Sequence, residues 1–336
     1  MKAVGFVNSL PIEAEESLFE VELPTPELGA ADLLVRVEAI SVNPADAKRR
    51  IRTAADAPHP EPFILGYDAV GVVEKLGSDV TGFSKGDRVW YAGDANRAGT
   101  NAELHAVDHR IVSLAPTSVS PAAAASLPLV TLTAWEVLFD RLQIPKDESQ
   151  TSVLVIGGAG GVGSVTLQLL RKLTGHVAIA TASRPESTDW CRKMGAHEVV
   201  DHNDLVSECR QGGREFVDYI ANYNGLDTHW DAMCELIAPQ GRISSIAETP
   251  NLLDLCALQG KSVGFMWELM FTRSMFETDD MAQQGEILSR MARMVDDGVI
   301  TTTETKTLNG LSAETLKEAH RIIETGSMIG KLTVAY

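Results

Sequence analysis

Three glycines, Gly158, Gly160 and Gly163, are spaced G-x-G-x-x-G in the run IGGAGGVGSV. Glycine at such positions lets the backbone come close to a large anion, because no Cβ stands in the way. The chemistry this suits is pyrophosphate binding. A helix that starts there offers unpaired N–H groups and the positive end of its dipole. The pattern alone is weak, and its setting strengthens it. An apolar strand, residues 153–156, runs straight into it. An amphipathic helix follows, with Val162, Val165, Leu169 and Leu173 on one face and Gly175 as the expected C-cap. The backbone from Gly158 through Ala159, Gly160, Gly161 and Val162 to Gly163 is therefore expected to hold a dinucleotide. The alternative is a tight strand–helix turn with no ligand.

The next strand, residues 177–181, ends in ATASRPES. Sheets that bind NAD place Asp or Glu about 20 residues after the glycines, to accept the ribose 2′-hydroxyl. Here that place falls on Ser183, followed by Arg184. A hydroxyl and a guanidinium suit a 2′-phosphate, and no carboxylate repels it. The expected cofactor is NADP(H), unless Arg184 is only a solvated surface charge. His202, in VVDHND, is a further phosphate candidate or a surface-loop histidine. A second stretch raises a separate question. In LGYDAVG, residues 65–71, Tyr67 and Asp68 stand side by side between glycines. They could hold a metal, hand over a proton, or shape a bend.

The elements that must position these residues change character along the chain. Residues 1 to about 127 hold short β-like runs (KAVGFV, LLVRVEAI, AVGVVEKLG, DRVWYA, AELHAV) separated by turn formers. A helical, apolar run starts at Ser120, a good cap, with Pro121 in the first helical position. From Thr151 strands alternate with helices, which implies βαβ units and a parallel sheet. Two helices, around 281–296 and 312–325, lead to a closing strand, KLTVAY.

The 336 residues suffice for two domains. The 46 acidic against 29 basic residues give a formal charge of −17, which argues against nucleic acid and anionic lipid as partners. Cys191, Cys209, Cys234 and Cys256 form no CxxC pair, so a zinc ribbon is not expected. The N-terminus lacks the apolar stretch of a signal peptide, and no stretch reads as a membrane span. A cytoplasmic protein is expected.

Taken together, AISVNPADAKRR (39–50), GYDAVGVVEKLGSDVTGFSKGDRV (66–89), LPLVTLTAWEVL (127–138), VLVIGGAGGVGSVTLQL (153–169), ATASRP (180–185) and GKLTV (330–334) resemble the medium-chain dehydrogenase/reductase superfamily over essentially the full length. Within it the chain is similar to the quinone oxidoreductase branch. With FMWELMFTRSMF (265–276), it is similar to the group labelled zinc-type alcohol dehydrogenase-like proteins. The resemblance implies an α/β protein: a GroES-like β domain, residues 1–127 and 297–336, and a doubly wound Rossmann domain, residues 128–296. The active site would lie in the cleft between them.

The resemblance also bears on Tyr67 and Asp68. Zinc-dependent relatives bind the catalytic ion with a cysteine, whose place falls on Asn43, and a histidine–glutamate pair, whose place falls on Tyr67 and Asp68. The structural-zinc lobe would fall near residues 84–110, which hold no cysteine. No metal is therefore expected. Without a Lewis acid, alcohol oxidation is disfavoured, whereas a quinone or an α,β-unsaturated carbonyl needs only hydride, hydrogen-bond donors and a proton. By this resemblance Asn43 would orient substrate or ribose. Tyr67 would stabilise or protonate the oxyanion, or simply wall the nicotinamide pocket. Asp68 would fix a neighbouring backbone or arginine.

Further positions follow from the same motifs. Thr131 and Thr133 would line the nicotinamide side, Asn222 and Tyr223 the adenosine, Ile246 and Ala247 the nicotinamide. Lys331 would contact a phosphate or the nicotinamide ribose. Asp46, Trp267 and Phe271 would border the substrate pocket, or serve packing. The run KSVGFMWELM would form an edge strand that pairs across a two-fold axis, giving a homodimer. Two other functions stay open: a zinc alcohol dehydrogenase with unusual ligands, and a non-catalytic dinucleotide-binding protein with a structural or regulatory role.

Overall fold

The computed structural model describes residues 1–147 and 151–336. The chain divides into two compact units, Met1–Leu129 with Phe271–Tyr336, and Val130–Met270. The return to the first unit thus comes at Phe271, earlier than the expected 297. The helix Gln283–Asp296 explains the difference. Its Gly285 lies so close to the first unit that an added Cβ would stand 2.7 Å from the Arg110 carbonyl oxygen. Its Asp296 Oδ1 accepts from the backbone of Thr117 and Ser118 at 2.8 Å.

The first unit begins with β1 (Lys2–Phe6), β2 (Phe19–Glu22), β3 (Asp32–Val42), β4 (Phe63–Ile64), β5 (Asp68–Leu76), β6 (Arg88–Tyr91), β7 (Leu104–Asp108) and β8 (Ser113–Leu114). The second unit contributes β9 (Ser152–Ile156), β10 (Val177–Thr181), β11 (Glu198–Val200), β12 (Val217–Asn222), β13 (Ile237–Ser245) and β14 (Gly264–Trp267). The chain then returns for β15 (Glu304–Asn309) and β16 (Lys331–Ala335).

In the first unit β1 is flanked by β2 and β4 in a three-stranded sheet, and the larger sheet runs β15-β16-β3-β5-β6-β8, with β7 also on β3. Its core gathers Leu33, Val35, Ile40, Val89, Leu332 and Val334, each buried. Removing such a side chain typically costs about 2–5 kcal/mol.

The second unit's sheet runs β11-β10-β9-β12-β13-β14, all parallel. This is the doubly wound order in which ligands sit beyond the carboxyl ends of the strands. Its central strand, SVLVI, is buried at every residue, as expected where helices cover both faces.

Ser120 caps the helix Pro121–Ala125, its Oγ accepting from the Ala123 N–H at 3.2 Å. The helical run Pro121–Arg141 is long and apolar enough to cross a membrane by length and composition, contrary to the sequence expectation. Most of it is buried within the fold, so its apolar surface is already covered.

Candidate active site

Strand register assembles a polar corner in the first unit. Ser41 on β3 stands opposite Asp68 on β5, and Thr333 on β16 stands opposite Ser41. Directly opposed residues share a face of the sheet. Ser41 Oγ accordingly donates to Asp68 Oδ2 at 2.5 Å. Asn43 follows two residues on, at the N-cap of the helix Pro44–Thr53, and its Nδ2 donates to the same oxygen at 2.9 Å. Lys331, which opens β16, places Nζ 2.5 Å from Asn43 Oδ1 and 3.4 Å from Asp68 Oδ2. The Leu129 N–H donates to Asp68 Oδ1 at 2.6 Å.

All three central residues are buried: Asn43, Asp68 and Lys331. Burial pulls the Lys331 ammonium below its ordinary pKa, and Asp68 and Asp46 oppose that pull. Asp46 accepts from the Asn43 N–H at 2.8 Å, completing a capping box. Burial pushes its carboxyl up to about 6, against the charges of His320 and Lys331. Asp46 therefore lies under the site at the helix start, 2% exposed.

These donors do not fit a zinc ion. Asn43 and Tyr67 offer an amide and a phenol where zinc favours thiolate and imidazole. Both oxygens of Asp68 already accept hydrogen bonds, and the cation they meet is the Lys331 ammonium. Among the described residues no group of three His, Cys, Asp or Glu side chains is placed to hold a metal.

Tyr67 immediately precedes Asp68. Its ring packs on Phe271, with centroids 4.5 Å apart. The side chain is mostly buried, yet its hydroxyl makes no hydrogen bond with any described residue. Burial, followed by the Asp46 charge, raises its pKa well above the ordinary phenol value. At neutral pH the group stays protonated and can donate.

In the second unit the three motif glycines have different tasks. A Cβ on Gly163 would stand 2.3 Å from the Gly157 carbonyl oxygen, and one on Gly158 would stand 2.8 Å from the Ala180 Cβ. Both glycines permit close packing of turn, helix and strand. A Cβ on Gly160 would meet nothing nearer than 3.5 Å, so Gly160 faces open space. It is the N-cap of the helix Gly161–Leu173 and brings no side chain to the free N–H groups. Such an open cradle, at the end of the central strand, fits a dinucleotide pyrophosphate. The positive φ that the turn requires falls on Gly157, at +84°. The helix ends at Thr174 in an extended conformation, rather than on Gly175.

Beside the loop, β10 and β11 run parallel with Thr181 opposite Val200, and the Ala182 N–H donates to the Val200 carbonyl at 3.0 Å. This register carries Ser183 and His202 to the same edge. Ser183 and Arg184 are exposed there, and His202 is half-buried. No carboxylate stands between Val177 and Arg184.

Asn222, Ile246 and Ala247 also lie at strand ends, whereas Thr131 lies within the helix Pro128–Trp135. Asn222 closes β12, its Nδ2 3.4 Å from Ser245 Oγ and its Oδ1 accepting from the Asn224 N–H. Ile246 and Ala247 follow β13, each with its N–H engaged, by the Asn222 carbonyl and by Ser245 Oγ. Thr131 is fully buried with an unpartnered hydroxyl. Tyr223 shares a hydrogen bond with Thr166 Oγ1 at 2.6 Å, which pins it to the glycine-loop helix. Trp267 is half-exposed on the edge strand, against Phe265. Lys331 stands with Asn43 and Asp68 inside the first unit.

Sequence reasoning missed Ser41 and the Leu129 N–H as partners of Asp68. It also missed a second buried acidic group. Glu136 and Glu268 are both buried, and Arg141 lies 3.8 Å from one and 2.7 Å from the other. A glutamate inside the apolar run LPLVTLTAWEVL was the available signal.

Residues 29–117 match the alcohol dehydrogenase GroES-like domain, and residues 194–334 match the zinc-binding dehydrogenase family. A zinc-type alcohol dehydrogenase-like protein of Staphylococcus aureus (strain MSSA476) is 43% identical over 341 residues, 99% of each chain. A crystal structure from Rhizobium etli CFN 42, described as a zinc-dependent alcohol dehydrogenase protein, superposes with a TM-score of 0.95 at 43% identity, covering 100% of this chain and 98% of that one. A chloroplastic NADPH-dependent alkenal/one oxidoreductase of Arabidopsis thaliana is 36% identical over 190 residues, 54% of this chain and 48% of the relative. A GroES-like β unit joined to a doubly wound dinucleotide unit, together with this full-length similarity, shows that the chain belongs to the medium-chain dehydrogenase/reductase superfamily of oxidoreductases.

Proposed function

We propose that the protein is an NADPH-dependent reductase that adds hydride to a quinone or an α,β-unsaturated carbonyl, with no zinc ion taking part. One observation carries this reading. The Asp68 carboxylate is engaged by Ser41, Asn43, Leu129 and Lys331, while the neighbouring Tyr67 phenol is protonated and makes no hydrogen bond with a described residue. A conjugated acceptor needs a hydrogen-bond donor where negative charge develops, not a Lewis acid. Bound NADPH would supply the hydride.

The glycine loop would bind the pyrophosphate on the open side of Gly160. Ser183 and Arg184 would bind the 2′-phosphate. Thr131 would offer its hydroxyl to the cofactor, and the strand ends at Asn222, Ile246 and Ala247 would support it. Tyr67 would donate to the substrate oxygen. Asn43 acts as a positioning residue, because its amide is held on one side by Asp68 and on the other by Lys331. The similarity to an enzyme named for NADPH-dependent alkenal/one reduction supports this reading. A homodimer joined along the edge strand β14 fits its half-exposed Trp267 and the half-exposed Leu269 just after it, and sedimentation of Trp267→Glu protein tests it.

The functional test is NADPH oxidation by chelator-treated protein, with an aromatic ortho-quinone and an enone as acceptors and NADH in parallel. Turnover with NADPH and negligible bound zinc is the expected result. Alcohol oxidation that appears only on adding zinc would overturn the reading.

A further inference from the structure

The sheet end where Ser183 and Arg184 follow β10 and His202 follows β11 has one more group nearby, contributed by another element. His229, on the helix Leu226–Leu236, packs its ring edge-on against His202, with centroids 6.0 Å apart and planes at 81°. Nothing in the sequence links the two, since they follow different strands. We propose that His202 and His229 form a proton-taking pair that couples binding of the cofactor's 2′-phosphate to uptake of a proton. The proposal rests on the reading of this corner as the 2′-phosphate site.

Three features support it. First, β10 and β11 are neighbouring parallel strands paired up to Thr181 and Val200, and Ser183 and His202 each come two residues later, at the same end of the sheet. Second, the rings pack edge to face at 6.0 Å, and at this distance a charge on one disfavours a charge on the other. Burial, then the His202 ring, keeps the His229 imidazole below its ordinary pKa, with Asp227 opposing them. Third, a phosphate monoester brings about −1.5 to −2 charges at neutral pH. That charge offsets the cost of one imidazolium in the pair. His202, half-buried at the edge, is the ring that meets the phosphate, and His229 behind it is a positioning residue.

The charged groups on the surrounding elements are few. Asp227 precedes His229 in its helix, and its carboxylate is engaged by Asn251 Nδ2 at 2.8 Å. Asp201 and Asp204 flank the turn that holds His202, and Asp201 Oδ1 is engaged by the backbone and side chain of Asn203. Arg184 and Glu186 stand at the start of the helix Pro185–Lys193. The Asp201 and Asp227 carboxylates thus have partners of their own, and the incoming phosphate is the anion proposed to complete the pair.

Calorimetric titration of the full-length protein with NADPH and with NADH, in two non-phosphate buffers of different ionisation heat, reads the proton directly. NADPH binding should take up a sizeable fraction of one proton near neutral pH, and NADH binding none. The NADPH dissociation constant should rise about five- to tenfold between about pH 6.5 and pH 8, while that for NADH stays flat. His229→Asn should remove most of the proton uptake and flatten the pH dependence, with NADPH still bound. His202→Asn should do the same and also weaken NADPH. NADPH binding without proton uptake in the wild-type protein would overturn the pair and leave the cofactor assignment intact. Failure to bind NADPH, with NADH bound, would overturn both.

Discussion

The Lys331 ammonium lies 3.4 Å from Asp68 Oδ2, and the two side chains are 5% and 0% exposed. A buried ion pair of this kind stabilises little by itself, but removing one partner strands the other in a low-dielectric interior. Lys331→Met should therefore destabilise the protein by about 3–5 kcal/mol, and adding Asp68→Asn should restore much of that loss. Chemical denaturation of the single and double variants checks the coupling.

Tyr67→Phe should behave in the opposite way. The phenol makes no hydrogen bond with described residues, so its loss should leave the melting temperature essentially unchanged. Turnover of the enone or quinone should fall about a hundredfold, as expected for the loss of a donor at the developing oxyanion. Equal turnover would reduce Tyr67 to a wall of the pocket.

The glycine loop offers a paired experiment. Gly160→Ala adds a methyl group in open space, so stability should change by no more than about 0.5 kcal/mol while NADPH binding is weakened. Gly163→Ala forces a Cβ onto the Gly157 carbonyl and should cost about 1–3 kcal/mol before any ligand is added. Thermal melts with and without NADPH separate the two effects.

Arg184→Ala should raise the NADPH dissociation constant about 10- to 100-fold, the value of a charge-assisted hydrogen bond. NADH binding should be unaffected. Fluorescence titration with both cofactors provides the ratio.

Asp46 provides a signature in acid. Its carboxyl titrates near 6 in the folded protein against an ordinary value of 3.8. A raised folded value means that this group's contribution is fully present below about pH 4 and is lost as pH rises through about 6. Relative to Asp46→Asn, wild-type stability should therefore fall by about 3 kcal/mol across that window. Unfolding of both proteins at several pH values from 4 to 7 measures the difference.

The sequence made the dinucleotide unit readable because its signals are local. A strand, a glycine turn and a helix are consecutive in the chain, and Ser183 and Arg184 come at a fixed distance behind them. The polar corner was only half readable. Asn43 and Asp68 belong to recognisable segments, but Lys331 meets Asp68 across 263 positions, and the Ser41 contact depends on the register between two strands. The sequence pattern placed a helix around residues 281–296 but not the core that covers it, and the compact second unit ends at Met270, before that helix. His229 was invisible for the same reason: an edge-on ring contact has no pattern in the chain.

The first unit is discontinuous, and its sheet is closed by β16, which lies between β15 and β3 with Leu332 opposite Val42. During synthesis the strands β1 to β8 emerge well before β16, the neighbour of β3 on that side. The second unit is contiguous and can fold while the first still waits with an unpaired strand, a state that invites wrong pairings. Because the same strand opens with Lys331, the arrival of β16 also delivers the charge that meets Asp68. A chain that lacks β16 would thus lose a sheet strand and the Asp68 cation together.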